Sequence, residues 1–278
     1  MKKIIAAFDG LRFSNSTLQH ALWLAKQYDA HITGVFLHES TRLGYAIYES
    51  MVSQSFVGKN IIKEIDQSDA ALLREAIGGF ESCCREAGVP YTVHNDRKNA
   101  VRELLHESVF ADLLVLDAWE TFSYLGTSLP GWFIKNILHD AQCPVLVVPK
   151  QFHTITRTAL LYDGSPSSMH AIKMLSYVLP ETRRLPTLLL CARHVTSSTH
   201  LPDDRLLKEW MKRHYPGTEY EVLAGDAQRL VARIAGEEPG MLVAAGAYHR
   251  SDVSMWFRQS LANLLMQGTA APVFIAHT

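Results

Sequence analysis

Asp9 and Asp163 each close an apolar run and are each followed by glycine, in KKIIAAFDG and RTALLYDG. The next apolar run in each half, HITGVFLHES or PTLLLCARHV, carries a histidine near its end, His38 or His194. A carboxylate and an imidazole at neighbouring strand ends are placed to bind a small polar molecule, because ligands of open α/β sheets sit in the crevice beyond the carboxyl ends of the strands. The same aspartates also suit plain capping: Asp-Gly is a common turn pair, and an Asp side chain accepts from the first N–H groups of a following helix. Position alone leaves both readings open. Other chemistry is thinly represented. The thirteen histidines form no HExxH and no His-x3-His pair, and adjacent Cys83 and Cys84 fit neither a metal knuckle nor a CxxC redox pair, so no metal centre is expected. There is no G-x-S-x-G elbow and no P-loop, and nothing identifies a nucleophile. Asp203-Asp204 and Glu237-Glu238 lie in loop-like sequence and read as solvated charge.

The elements that must hold these residues repeat. KKIIAAFDG (2–10) matches RTALLYDG (157–164), and HITGVFLHES (31–40) matches PTLLLCARHV (186–195). ADLLVLDAW (111–119) matches GMLVAAGAY (240–248), and CPVLVVPK (143–150) matches APVFIAHT (271–278). Between the first two runs of each half the apolar spacing is helical: Leu18, Ala21, Leu22, Leu24 and Ala25 in one, Met169, Ile172, Leu175 and Leu179 in the other. Strands apolar on both faces need helices over both faces, and their alternation with helical stretches argues for βαβ units. The fold class is therefore α/β, with two tandem doubly wound, five-stranded parallel sheets. Strands are expected at about 3–8, 31–37, 90–95, 112–117 and 144–148, then at 158–162, 187–192, 218–223, 241–245 and 272–276. The domains are read as 1–152, with an insertion at about 41–60, and 153–278. The insertion carries Tyr45, Ile47, Tyr48, Met51 and Phe56, which suit either a cover for the core or a binding lid.

Composition bounds the partners. A chain of 278 residues fits about two domains, and 47% hydrophobic with 20% charged residues is globular. Twenty-seven Lys and Arg against 28 Asp and Glu give a net charge of −1, so no global field draws in nucleic acid. The opening MKKIIAAFDG has too short an apolar run for a signal peptide or a membrane span; a cytoplasmic location is expected. The cysteines other than the adjacent pair, Cys143 and Cys191, lie inside apolar runs, and buried thiols are expected throughout.

A first strand ending in Asp-Gly, a second ending in a His-Val-like pair, and a fourth leading through a helix to AQCPVLVVP together resemble the universal stress protein family. The resemblance covers nearly the whole chain, twice. It implies a Rossmann-like fold of the adenine-nucleotide alpha-hydrolase type, and subunits that pair through the last strand. Fusion would then make that contact intramolecular, a pseudo-dimer within one chain that could itself form a homodimer. Nucleotide-binding members carry G-x2-G-x9-G-[S/T] after the fourth strand, where bare glycine backbone and helix N-terminal amides meet phosphate. In DAWETFSYLGTSLPGW, Asp117 and Glu120 replace the first two glycines, Gly131 matches the third after a one-residue slip, and Trp132 replaces the hydroxyl residue. In GAYHRSDVSMWFRQS, Gly246 and Ser260 remain, while His249 and Gln259 replace the other two glycines, with Arg250 and Arg258 close by.

If a phosphate-bearing ligand binds, the resemblance places it in the C-terminal half, with Asp163 at the first strand end, Val195 beside the base, and Gly246, His249, Gln259 and Ser260 around the phosphates. No obligatory cofactor is implied; ATP is expected to bind weakly. The leading reading is a non-enzymatic stress-response or regulatory protein acting through a small ligand or a protein partner. The alternatives are a weak ATP-binding switch or slow ATPase using the C-terminal half, and an unrelated α/β enzyme using the same crevice. The loop chemistry separates the first two, and the missing catalytic signature counts against the third.

Overall fold

A computed structural model describes residues 1–10, 12–37, 59–96, 100–118, 132–193, 200–237, 239–246 and 260–276. The first half runs β1 (Lys3–Asp9), α1 (Asn15–Tyr28), β2 (His31–Leu37), α2 (Lys59–Ala87), β3 (Tyr91–Asp96), α3 (Ala100–Ser108), β4 (Leu113–Asp117), α4 (Trp132–Asp140) and β5 (Val145–Val148). The second runs β6 (Arg157–Leu161), α5 (Pro166–Val178), a 3-10 turn (Pro180–Arg184), β7 (Thr187–Arg193), α6 (Asp204–His214), β8 (Glu219–Ala224), α7 (Ala227–Ala235), β9 (Met241–Gly246), α8 (Ser260–Gly268) and β10 (Val273–Ala276). Each strand window read from the sequence holds a strand.

Continuous apolar runs form these strands because both faces of the sheet are covered. Along β1 the residues from Ile4 to Phe8 are all buried, and alternate ones feed opposite sides. Ile4, Ala6 and Phe8 join α1, α2, α5 and α6 in one core, while Ile5 and Ala7 join α3, α4, α7 and α8 in the other. Both cores run through both halves of the chain. Local chemistry sets the helix ends. Ser14 caps α1 by accepting from the Thr17 N–H, and Asp226 caps α7 by accepting from the Gln228 and Arg229 N–H groups. Asp29 ends α1 with φ 48°, a left-handed conformation that Asp tolerates better than most residues.

The strands form one ten-stranded sheet in the order β3-β2-β1-β4-β5-β10-β9-β6-β7-β8. Pairing within each half is parallel, and the halves join through the antiparallel pair β5 and β10. The expectation that Val145–Val148 and Val273–Ala276 meet is thus met, in the register Val147↔Val273, Leu146↔Phe274 and Val145↔Ile275. Swapping the halves maps the strand order onto itself reversed, so the seam is the centre of a pseudo-two-fold arrangement. Leu146 and Phe274 face each other there, both fully buried in the same core.

The second half is braced by an ion network between β6, β8 and α7. Glu237, after α7, receives Arg157 of β6 at 2.6 Å and also Arg233 of α7, while Arg233 reaches Glu221 of β8 at 3.0 Å. Charge-assisted hydrogen bonding to Arg233 holds the Glu237 carboxyl below its usual range. One expectation needs correction: Cys84, Cys143 and Cys191 are buried, but Cys83 is only half-buried, because adjacent residues of α2 point to different sides of the helix. Burial pushes the Cys84 and Cys143 thiols up to about 12, leaving them unreactive at neutral pH. The aromatic insertion at about 41–60 falls almost wholly on 38–58, outside the described residues.

Candidate functional site

In each half the strand order reverses beside the first strand: β1 lies between β2 and β4, and β6 between β7 and β9. Each reversal opens a crevice beyond the carboxyl ends of two neighbouring parallel strands. The register Ala6↔Val115, carried two residues on, sets Asp117 beside Phe8 and next to Asp9. The register Leu160↔Ala244, carried on likewise, sets Gly246 beside Tyr162 and next to Asp163. Asp117 and Gly246 therefore occupy equivalent places, as do Asp9 and Asp163.

The two places are built differently. Asp117 is 9% exposed, and its Oδ2 accepts a hydrogen bond from Ser14 Oγ at 2.7 Å. Ser14 is also the α1 cap: its Oγ accepts from the Thr17 N–H at 3.2 Å and from Thr17 Oγ1 at 3.1 Å. The carboxylate thus stands against the first turn of α1 and closes the floor of that crevice with negative charge. A phosphate brought to the same point would meet a carboxylate where a low local dielectric makes like charges costly.

Gly246 meets the first turn of α5 with bare backbone. A Cβ there would lie 2.9 Å from Ser167 C, Ser167 Oγ and Ser168 N, so the close approach of strand and helix requires glycine. That turn is capped by Ser165, whose Oγ accepts from the Ser168 N–H at 3.1 Å, while Ser168 Oγ donates to the Ser165 carbonyl at 2.9 Å. Asp163 Oδ1 accepts from the Ser165 N–H at 2.8 Å. Its carboxylate therefore shapes the turn that leads into the cap, and it sits half-buried at the crevice mouth. Pro166 opens α5, where its missing N–H costs nothing.

Of the residues singled out for a ligand, Asp163 and Gly246 come together at one crevice, and Ser260 opens α8. Val195, His249 and Gln259 lie outside the described residues, as do His38, His194, Glu120 and Gly131. Sequence reasoning missed Ser14, Thr17, Ser165 and Ser168 as the groups lining both strand ends. Their signal was a Ser, Asn and Thr-rich stretch after each Asp-Gly, a helix-start signature. Among the described residues no three His, Cys, Asp or Glu side chains gather as a metal site, and no helix is long and apolar enough to cross a membrane.

Residues 1–149 match the model of the universal stress protein family. The chain belongs to the universal stress protein family. Universal stress protein Slr1230 of Synechocystis sp. is 21% identical over 290 residues, spanning 98% of this chain and 99% of that protein. A universal stress protein from Archaeoglobus fulgidus shares the fold with a TM-score of 0.65 at 15% identity, over 99% of this chain and 96% of that one. A Pseudomonas aeruginosa protein described as a universal stress protein does so at 0.62 and 12%, over 100% and 93%. A tandem arrangement of universal stress protein units accounts for these full-length matches.

The Ser14–Asp117 bond gives a first prediction. Asp117→Ala strands a buried hydroxyl donor at the α1 cap and should destabilise the protein by about 1.5 kcal/mol. Asp117→Asn keeps an acceptor and should cost markedly less. Urea unfolding of the two variants measures the difference; equal costs would mean that the hydrogen bond contributes nothing.

Proposed function

We propose that this family member is a non-enzymatic stress-response protein whose C-terminal crevice holds a small ligand and whose N-terminal crevice has been given over to structure. The single observation that supports this most is the contrast between Gly246, bare against the first turn of α5, and Asp117, a buried carboxylate bonded to Ser14 at the equivalent place. The first arrangement brings no charge to the strand end, its missing Cβ being filled by the first turn of α5; the second opposes an anion.

The fit of a nucleotide to the C-terminal crevice is partial. Gly246 brings no carboxylate to the strand end, and Ser260 stands at the N-terminus of α8, where helix N–H groups favour an anion. His249 and Gln259 stand in place of two further glycines. Losing two charge-assisted hydrogen bonds of about 1.5–3 kcal/mol each weakens binding roughly a hundredfold or more. We therefore place ATP as a weak ligand, bound by Asp163, Val195, Gly246, His249, Gln259 and Ser260. When bound it would supply its phosphates as the group whose presence or absence is sensed.

Taken as domains 1–152 and 153–278, the chain is a pseudo-dimer closed through β5 and β10, and it acts in the cytoplasm on a protein partner or a small ligand. Mass spectrometry of molecules released from protein purified without added nucleotide tests the ligand. Absence of a stoichiometric adenine nucleotide is the expected result; its presence would favour an ATP-dependent switch.

A further inference from the structure

His20 is a buried polar group that neither crevice uses. It lies in the middle of α1 with no exposed surface; its Nδ1 lies 2.8 Å from the Ser16 carbonyl and donates to it. That bond fixes the tautomer and leaves Nε2 as an acceptor, and Nε2 is buried without a hydrogen-bond partner. The ring of Phe152 packs edge-on against the imidazole, with centroids 4.8 Å apart. Phe152 belongs to residues 149–156, which join β5 to β6 with neither helix nor strand. The same segment plants Ile155 in the core beside Trp23 and Leu24 of α1, at a cavity of about 140 Å³ that also touches the 3-10 turn. The connection between the halves thus lies as a strap along α1, held at one end by Phe152 on His20 and at the other by Ile155.

We infer that His20 is an acid-sensitive latch, and that its protonation releases the Phe152–Ile155 strap from α1. A proton on Nε2 would create a buried cation among apolar strand residues, with no acceptor for its new N–H, and relief comes from letting water in past the strap. The surroundings agree. The strand residues in the core beneath α1, Ala6 and Phe8 of β1, Val115 of β4, and Leu146 and Val148 of β5, are apolar. From the strap comes His153, whose charge opposes a second one on His20; from α1 itself comes the Ser16 carbonyl, which favours it. The carboxylate of Asp117 on β4 is engaged by Ser14, nearly two turns earlier in α1. On α2, buried Asp69 lies one turn before Leu73, which packs at Gly10 beyond the end of β1.

Burial holds the His20 pKa down at about 4, against 6.5 for an exposed imidazole. The closed form therefore takes up the proton only below about 4, whereas the open form takes it up below 6.5. Acid favours opening, and between pH 7 and pH 5 linkage raises the opening equilibrium about 20-fold.

Hydrogen exchange followed by mass spectrometry on the full chain, corrected for the intrinsic pH dependence of exchange, reads this directly. Peptides covering 149–156 should open about 20-fold more at pH 5 than at pH 7, while β1 and β4 peptides keep their protection. The rise should vanish in His20→Phe and in His20→Leu, of which either folded variant suffices, and should persist in His153→Gln. An unchanged rise in the His20 variants would overturn the latch. So would loss of the rise in His153→Gln, or exchange that increases equally in every strand.

Discussion

Truncating Phe274 to alanine should cost about 3–5 kcal/mol and lower the denaturation midpoint by roughly 10 °C. Its ring is fully buried at the centre of the seam, opposite Leu146 across the antiparallel β5–β10 pair. Leu146→Ala should cost about 2–5 kcal/mol for the same reason. Because the two side chains share one contact, the double variant should depart from additivity by about 0.5–3 kcal/mol. Thermal unfolding of the four proteins completes the cycle. Strict additivity with small single costs would show that the two halves do not depend on this pair.

Gly246→Ala should cost about 3 kcal/mol, although it adds a single methyl. All three close atoms belong to Ser167 and Ser168, in the first turn of a capped helix, and two are backbone. The strand end, the α5 cap and the Asp163 turn must therefore move together. The same change should remove whatever ligand affinity the C-terminal crevice has, since it displaces the α5 turn and the Asp163 carboxylate that shape that crevice. Gly246→Asp adds charge to the same collision, so a loss of binding in that variant reports packing as well as repulsion. Alanine is the cleaner probe. A Gly246→Ala protein with unaltered stability would mean that β9 and α5 do not approach as described.

The sheet was legible because its signal is local. Runs such as KIIAAFD and LLVLD are apolar at consecutive positions, which suits a strand covered on both faces, and their recurrence gave the second half from the first. That the two last strands pair came from the family resemblance; the antiparallel direction of the pair was not read from the sequence. The crevices were less legible. Asp117 could be read as a lost glycine, but not as a partner of Ser14, because the two residues are 103 apart and meet only through the β1–β4 register. Asp163 could be read as a helix cap, but not as the acceptor for the N–H of Ser165, the residue that caps α5. His20 was one histidine among thirteen. What sets it apart is the strap folding back over α1, and nothing in the spacing of a loop rich in polar residues announces that.

The most direct test of the proposed asymmetry is calorimetric titration with ATP and Mg²⁺ of the wild-type chain beside Gly246→Ala and an Asp9→Ala variant. Weak binding at most is expected, abolished by Gly246→Ala and unaffected by Asp9→Ala. Tight binding that survives Gly246→Ala and disappears on changing Asp9 would contradict the asymmetry, because the working site would then lie in the half whose crevice Asp117 closes.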